Sequence, residues 1–140
     1  MGWPACGPGH WCETVPMTAA TLLRSFLYVP GDRADRVAKA FDVGADAVLI
    51  DLEDSVALSA KETARRVALD SLSSRPGGGP AVWVRINSGE IGRLDAAALA
   101  TESAALGGVV LAKCDELGWL DEMASTLPSS VPHSQHNWIF

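Results

Sequence analysis

The chain is poor in the features that mark membrane-spanning, secreted and nucleic-acid-binding proteins. No apolar run approaches the ~20 residues that a spanning helix needs. No Lys or Arg precedes Arg24, so neither the basic start of a secretory signal nor the arginines of a transit peptide are present. There are three cysteines, Cys6, Cys12 and Cys114, an odd count with two close together. That is not a disulfide framework; a reducing cytosolic compartment is the simpler reading, and a mitochondrial one stays open. Basic charge is scarce: 11 Lys and Arg against 17 Asp and Glu leave a net charge of −6. This argues against a nucleic acid or an anionic membrane as partner. The run Gly77-Gly78-Gly79 lacks the Lys-Ser/Thr of a phosphate loop and does not lead into a helix, which removes the nucleotide reading.

What remains is a chain of 140 residues, 48% of them apolar, enough for one domain with a substantial core. Residues 1–22 have no hydrophobic periodicity and are expected to be disordered. Cys6, His10 and Cys12 stand at irregular spacing without a fourth ligand, and no zinc site is expected there. Residues 23–127 are expected to form the folded unit, and residues 128–140, with His133 and His136, a polar tail.

Within the folded unit apolar strands alternate with amphipathic helices. Leu23–Val29 reads as a strand stopped by Pro30-Gly31. Asp32 is then expected to cap a helix with the stripe Ala34, Val37, Ala38 and Phe41, closed by Gly44 in the left-handed region. Ala47–Ile50 reads as a buried strand of a parallel sheet. Ser59 and Glu62 form a capping-box pattern ahead of a stripe of Ala64, Val67, Ala68, Ser71 and Leu72. Ala81–Asn87 is a third strand, Ser88–Arg93 a loop and Asp95–Leu106 a helix. Val109–Lys113 is a fourth strand, and Asp115 caps a last helix with Leu117, Leu120 and Ala124 as its stripe. A βαβαβαβα order requires parallel strands with right-handed crossovers.

Side chains alternate along a strand, so one face of each strand is apolar while the other ends in polar groups. These are Tyr28, then Asp51 with Glu53, then Arg85 with Asn87, then Lys113. A buried carboxylate needs a cation, donors or water, and the C-terminal ends of parallel strands are where α/β folds place chemistry. The repeat suggests a site for a small carboxylate-bearing ligand, with Arg85 offering a planar fork and a divalent cation or its water shell nearby. The plainer alternative, that Asp51, Glu53 and Asp54 only cap the next helix, stays open at this point.

Several segments together resemble the citrate lyase β-subunit-like proteins of the HpcH/HpaI aldolase superfamily. They are Arg24–Gly31, Lys39-Ala40, Gly44–Val56 with its Asp-Leu-Glu-Asp core, Lys61 with Ala64-Arg65, Val84-Arg-Ile-Asn87 and Leu111-Ala-Lys113. The resemblance implies an α/β fold whose parallel βα units form the N-terminal half of a TIM (β/α)8 barrel. It implies a Mg²⁺-dependent lyase that makes or breaks carbon–carbon bonds in 3-hydroxyacyl-CoA thioesters of the citryl, malyl or citramalyl type. It implies catalytic roles for Asp51, Glu53 and Arg85, and acid or acyl-CoA contacts from Tyr28, Lys39, Arg85, Asn87 and Lys113. Family members are commonly homo-oligomeric. The expected direct Mg²⁺ ligands lie on later strands, beyond the end of this chain, so no metal ligand is assigned. Ala112 and Cys114-Asp115 depart from the Leu-Pro-Lys-Val-Glu usual in the family. A truncated product, a noncatalytic fragment or partner-binding half-barrel, a thioesterase or malate-synthase-like activity, and a flavodoxin-like binding domain are the rival expectations.

Overall fold

The computed structural model describes residues 23–74, 79–113 and 117–127. The expectations for residues 1–22, for the glycine run at 77–78, for Cys114 and Asp115 and for residues 128–140 lie outside the described residues.

Four strands form one parallel sheet in the order β1 (Phe26–Pro30), β2 (Ala47–Asp51), β3 (Ala81–Ile86), β4 (Gly108–Leu111). Between and after them come α1 (Ala34–Ala40), α2 (Lys61–Ser73), α3 (Gly89–Leu99) and α4 (Leu117–Thr126). The sheet's apolar alternation meets the helices. Val29, Val48, Ile50, Val82, Val84, Ile86, Val109 and Leu111 pack with Val37, Ala64, Ala68, Leu72, Leu99 and Met123 in one buried core. β2 is buried along its whole length, as its unbroken apolar run requires of a central parallel strand. Fully burying one such Val, Leu or Ile contributes about 1.5–3 kcal/mol, so a β2 truncation such as Ile50→Ala is expected to cost about 2–5 kcal/mol. The other face carries a smaller cluster of Ala47, Leu49, Trp83 and Val110, where Phe26 meets Trp83 edge-on at 5.4 Å.

Several local expectations are corrected. The turn closed by the Arg33 N–H on the Pro30 carbonyl at 3.2 Å starts α1 at Ala34, one residue too late for Asp32 to cap it. Of the stripe expected on α1, Val37 is buried, but Ala34 and Ala38 are exposed and Ala40 is buried in their place. Gly44 does take a positive φ of 87°, but in the turn into β2 rather than at the helix end. Ser59 lies inside a 3₁₀ turn, Leu58–Ala60, that puts Ala60 at the cap of α2, so the capping box is not formed. The stripe of α2 does bury Ala64, Ala68 and Leu72. The segment expected as a loop after Ser88 is the first turn of α3, because its buried stripe is Gly92, Asp95, Ala96 and Leu99, a spacing of i, i+3, i+4, i+7 that begins before Asp95. Past Leu99 the chain tightens into 3₁₀ turns, Ala100–Ala105. In α4 the core takes Trp119 and Met123, followed by Leu127. Leu120 is only half-buried and Ala124 is exposed, because Trp119 offers the larger apolar surface.

Candidate functional site at the C-terminal strand ends

Asp51 is the last residue of β2 and Arg85 the next-to-last of β3, and the register makes them direct partners on one face. The guanidinium Nε donates to Asp51 Oδ1 and Nη2 to Oδ2, both at 2.8 Å. This is the two-point fork geometry of the stronger charge-assisted pairs. Asp51 has a second task. Its Oδ1 accepts the Glu53 N–H at 2.9 Å and its Oδ2 the Ser55 N–H at 3.1 Å, so one carboxylate folds the loop after β2 and fixes the neighbouring arginine. Aspartate suits such a turn because its short side chain reaches the backbone two residues on. Burial pushes the Asp51 carboxyl up, but the Arg85 guanidinium and the Ser55 and Glu53 donors outweigh it and hold it at about 2. Arg85 is raised in turn by its bond to Asp51, against the opposing effect of burial.

Glu53, also buried, turns toward the same place. Its Oε2 accepts the Asp54 N–H at 3.1 Å and lies 3.4 Å from Arg85 Nη2, while Lys113 Nζ donates to its Oε1 at 2.6 Å. Lys113 also meets Asp54 at 3.4 Å. Its ammonium is held above its ordinary value by the bond to Glu53 and then by Asp54. Asp54 is lowered by its own contact with Glu53 and by Lys113.

Lys113 arrives by a route that alternation did not predict. Val109 and Leu111 face the helix-side core, so simple parity would send Lys113 the same way. Instead β4 ends at Leu111 and Lys113 takes a φ of +51°. That left-handed conformation costs a non-glycine residue roughly 1–2 kcal/mol and is offset here by the bonds its ammonium makes to Glu53 and Asp54.

The loop that carries the acids is clamped from behind. Lys61, the first residue of α2, donates from Nζ to the carbonyls of Leu52 at 2.7 Å and Glu53 at 2.5 Å. Gly31 packs against the other side: its N–H donates to the Asp51 carbonyl at 2.8 Å, and a Cβ there would lie 2.9 Å from that oxygen and 2.8 Å from Leu52 Cδ2. Only glycine lets the β1–α1 turn come this close.

Asn87 sits beneath the rim. Both of its amide N–H groups stay inside the protein, on the Leu52 carbonyl at 2.9 Å and on Asp95 Oδ2 at 2.7 Å. Asp95 is fully buried, and it also accepts the Asn87 backbone N–H at 3.1 Å and Arg65 Nε at 2.8 Å. Tyr28 is exposed and its ring lies under the Arg85 guanidinium, 5.8 Å from centroid to Cζ, within cation–π range. Lys39 is exposed on α1. It lines a shallow cleft with Leu27, Tyr28 and Arg36 at the free side of β1 and makes no described bond to the acids.

Thus Tyr28, Asp51, Glu53, Arg85 and Lys113 converge. Asn87 supports them from below and Lys39 stands apart. The reading that the acids merely cap α2 is corrected: the helix start has no side-chain cap, and the carboxylates face Arg85 and Lys113. Sequence reasoning passed over Asp95 and gave Arg65 no role of its own. An aspartate inside the apolar i, i+3, i+4, i+7 pattern of α3 was the signal that could have flagged it. Arg85 Nη1 is not among the guanidinium atoms spent on Asp51 and Glu53, so the arginine keeps donors for a ligand. A shallow pocket lined by Glu53, Asp54, Lys61, Asn87, Ser88 and Lys113 opens beside it. Among the described residues no three His, Cys, Asp or Glu side chains are arranged to hold a metal. Both oxygens of Asp51 already accept two N–H donors each.

Residues 24–126 match the HpcH/HpaI aldolase/citrate lyase family. A citrate lyase subunit beta-like protein of Deinococcus radiodurans is 48% identical over 71 residues, 48% of this chain and 25% of that protein. A (3S)-malyl-CoA thioesterase of Cereibacter sphaeroides is 35% identical over 107 residues, 75% of this chain and 37% of that protein. Among solved structures, the citrate lyase beta subunit of M. tuberculosis complexed with oxaloacetate and magnesium superposes with a TM-score of 0.56 at 34% identity. It covers 71% of this chain and 42% of that one. The chain therefore spans between a quarter and about two fifths of the length of these relatives.

Proposed function

The chain belongs to the HpcH/HpaI aldolase/citrate lyase family, and from that premise we propose that it supplies the acid-binding side of a Mg²⁺-dependent carbon–carbon lyase site for a 3-hydroxyacyl-CoA thioester of the citryl, malyl or citramalyl type. The observation that carries this is the Asp51–Arg85 fork. It holds a guanidinium flat at the strand ends with Nη1 still available for a small carboxylate. Arg85 binds the acid, Asp51 orients Arg85, and Glu53 with Lys113 borders the reacting carbon. Tyr28 and Lys113 contact the thioester. Lys39 reaches it only from beyond the free edge of β1, and Asn87 offers only its carbonyl oxygen. The cleavage itself breaks the C2–C3 bond. The 3-hydroxyl loses its proton and becomes a carbonyl, and the electron pair passes to the thioester enolate, which takes a proton at C2.

Magnesium prefers about six oxygen ligands in near-octahedral array. Among the described residues Asp51 and Glu53 do not fit direct coordination, since their oxygens are already engaged by Arg85, Lys113 and backbone N–H groups. Its direct ligands are proposed to come from outside residues 24–126, with Asp51 and Glu53 limited to its water shell. The odd cysteine count favours a reducing, cytosolic setting.

The malyl-CoA thioesterase relative, which matches more of this chain than the citrate lyase-like one, favours a second reading: hydrolysis of the same thioesters. Mass spectrometry of the CoA products from malyl-CoA and Mg²⁺ separates the readings. Acetyl-CoA marks carbon–carbon cleavage and free CoA marks hydrolysis. Saturable binding without either product marks a noncatalytic binder, and absence of binding removes the proposal.

A further inference from the structure

We infer that Asp95 and Arg65 set the Asn87 carboxamide so that its oxygen, Oδ1, stands as the hydrogen-bond acceptor for a hydroxyl of the bound acid. The role rests on the acid-binding reading above and adds the group that recognises the hydroxyl. Asn87 is 6% exposed. Its Nδ2 donates to the Leu52 carbonyl at 2.9 Å and to Asp95 Oδ2 at 2.7 Å, which uses both amide hydrogens. Oδ1 takes none of the described bonds. Nor is it one of the enclosed side-chain atoms without a partner, which among the described residues are the Nε1 atoms of Trp83 and Trp119. It therefore reaches solvent, and the opening that Asn87 borders is the pocket of Glu53, Lys61, Ser88 and Lys113.

The orientation is fixed from behind. A carbonyl and a carboxylate accept and do not donate, so turning the amide over would set Oδ1 against two acceptors. Asp95, fully buried, is divided between its neighbours. Its Oδ1 accepts Arg65 Nε at 2.8 Å, and its Oδ2 accepts both N–H groups of Asn87, the backbone one at 3.1 Å and the side-chain one at 2.7 Å. Lys61, one turn before Arg65 on α2, holds the same Leu52 carbonyl at 2.7 Å. Both acceptors that face Nδ2 are thus tethered to one helix. Asn87 follows Arg85 by two residues, about 7 Å along a strand, within reach of a small dicarboxylic acid held at Arg85 by one carboxylate. A ligand ammonium would meet the Lys61 and Lys113 ammoniums that line this pocket, whereas a hydroxyl donates to Oδ1 without adding charge. Asp95 and Arg65 are positioning residues, since they act through Asn87.

Calorimetric titration of the chain with malate and with fluorosuccinate, in which fluorine replaces the hydroxyl and cannot donate, tests it. Malate is expected to bind about tenfold more tightly, the effect of one hydrogen bond. Asn87→Ala is expected to bring the two affinities level. Both partners of Nδ2 keep another donor in that variant, and circular dichroism checks that it is folded. Asp95→Asn keeps an oxygen for Arg65 but puts an amide N–H where Oδ2 stood. The Asn87 oxygen then turns inward, and the preference for malate falls at least about threefold. Loosened packing alone would weaken both acids alike and leave their ratio unchanged. As a second measurement, free of ligand, both Nδ2 protons of Asn87 exchange slowly with solvent by nuclear magnetic resonance, and faster in Asp95→Asn. Equal affinities for the two acids, a preference that survives Asn87→Ala, or Nδ2 protons that exchange like those of an exposed asparagine overturn the inference and, where both acids bind, leave the acid site at Arg85 standing. Failure of both acids to bind removes the acid site as well.

Discussion

Asp51 and Arg85 are register partners on adjacent parallel strands, joined by two bonds of 2.8 Å with the arginine only partly exposed and the aspartate buried. Removing one partner of such a pair leaves a buried charge uncompensated. Arg85→Ala is expected to lower stability by about 3 kcal/mol. Arg85→Lys keeps the charge but loses the fork and falls between. In a double-mutant cycle with Asp51→Asn, read from urea midpoints, the coupling is expected to be about 0.5–3 kcal/mol. Additive losses would show the pair to be independent.

Acid stability follows from the same carboxylate. Asp51 is held at about 2, below the ~3.9 of an unfolded aspartate. A depressed folded value adds stability that is complete above about pH 5 and lost as the pH falls through 4 toward 2, some 2–3 kcal/mol in all. Asp46, lowered to about 2 chiefly by Arg24 and also by Ser25, sharpens the same limb. Asp51→Asn should flatten the acid limb of a stability-against-pH curve; an unchanged slope would assign the limb elsewhere.

Asp95 is expected to be the most sensitive polar position outside the rim. It ties Arg65 of α2 and Asn87 at the end of β3 to α3, and Asp95→Ala leaves Arg65 and two N–H donors unpaired, at about 3–5 kcal/mol. Asp95→Asn keeps an acceptor and should cost about 1–3 kcal/mol. Thermal unfolding of the two variants measures the order.

Gly31→Ala tests the close approach at the β1–α1 turn. A methyl 2.9 Å from the Asp51 carbonyl and 3.2 Å from Ala64 Cβ has no room unless β2 shifts, and overpacking of this kind costs about 1–3 kcal/mol. A neutral or stabilised variant would mean that the turn moves freely against the rim.

The strand–helix alternation and the convergence of Tyr28, Asp51, Glu53 and Arg85 were legible because a period of two and a buried parallel sheet leave few arrangements. Helix starts were not. The caps expected at Asp32 and Ser59 lost to a turn and to a 3₁₀ segment whose hydrogen bonds lie in the backbone. Lys113 reached the rim through a left-handed backbone that no alternation encodes. The Arg65–Asp95–Asn87 ties join residues 8 and 30 positions apart on different elements, a distance that local pattern does not span. The stripe expected on α4 failed because Trp119 and Met123 take the core positions, leaving Leu120 half-buried and Ala124 exposed.

The central claim is that the Asp51-held guanidinium receives a small carboxylate. Nuclear magnetic resonance of side-chain nitrogens, with malate titrated into ¹⁵N-labelled protein, tests it most directly. The account predicts saturable shifts at the Arg85 guanidinium and Lys113 ammonium, with Arg65 unmoved, and loss of the Lys113 shift in Arg85→Ala. Signals of Arg85 that stay still at saturating malate, or a Lys113 shift that survives removal of Arg85, would contradict it.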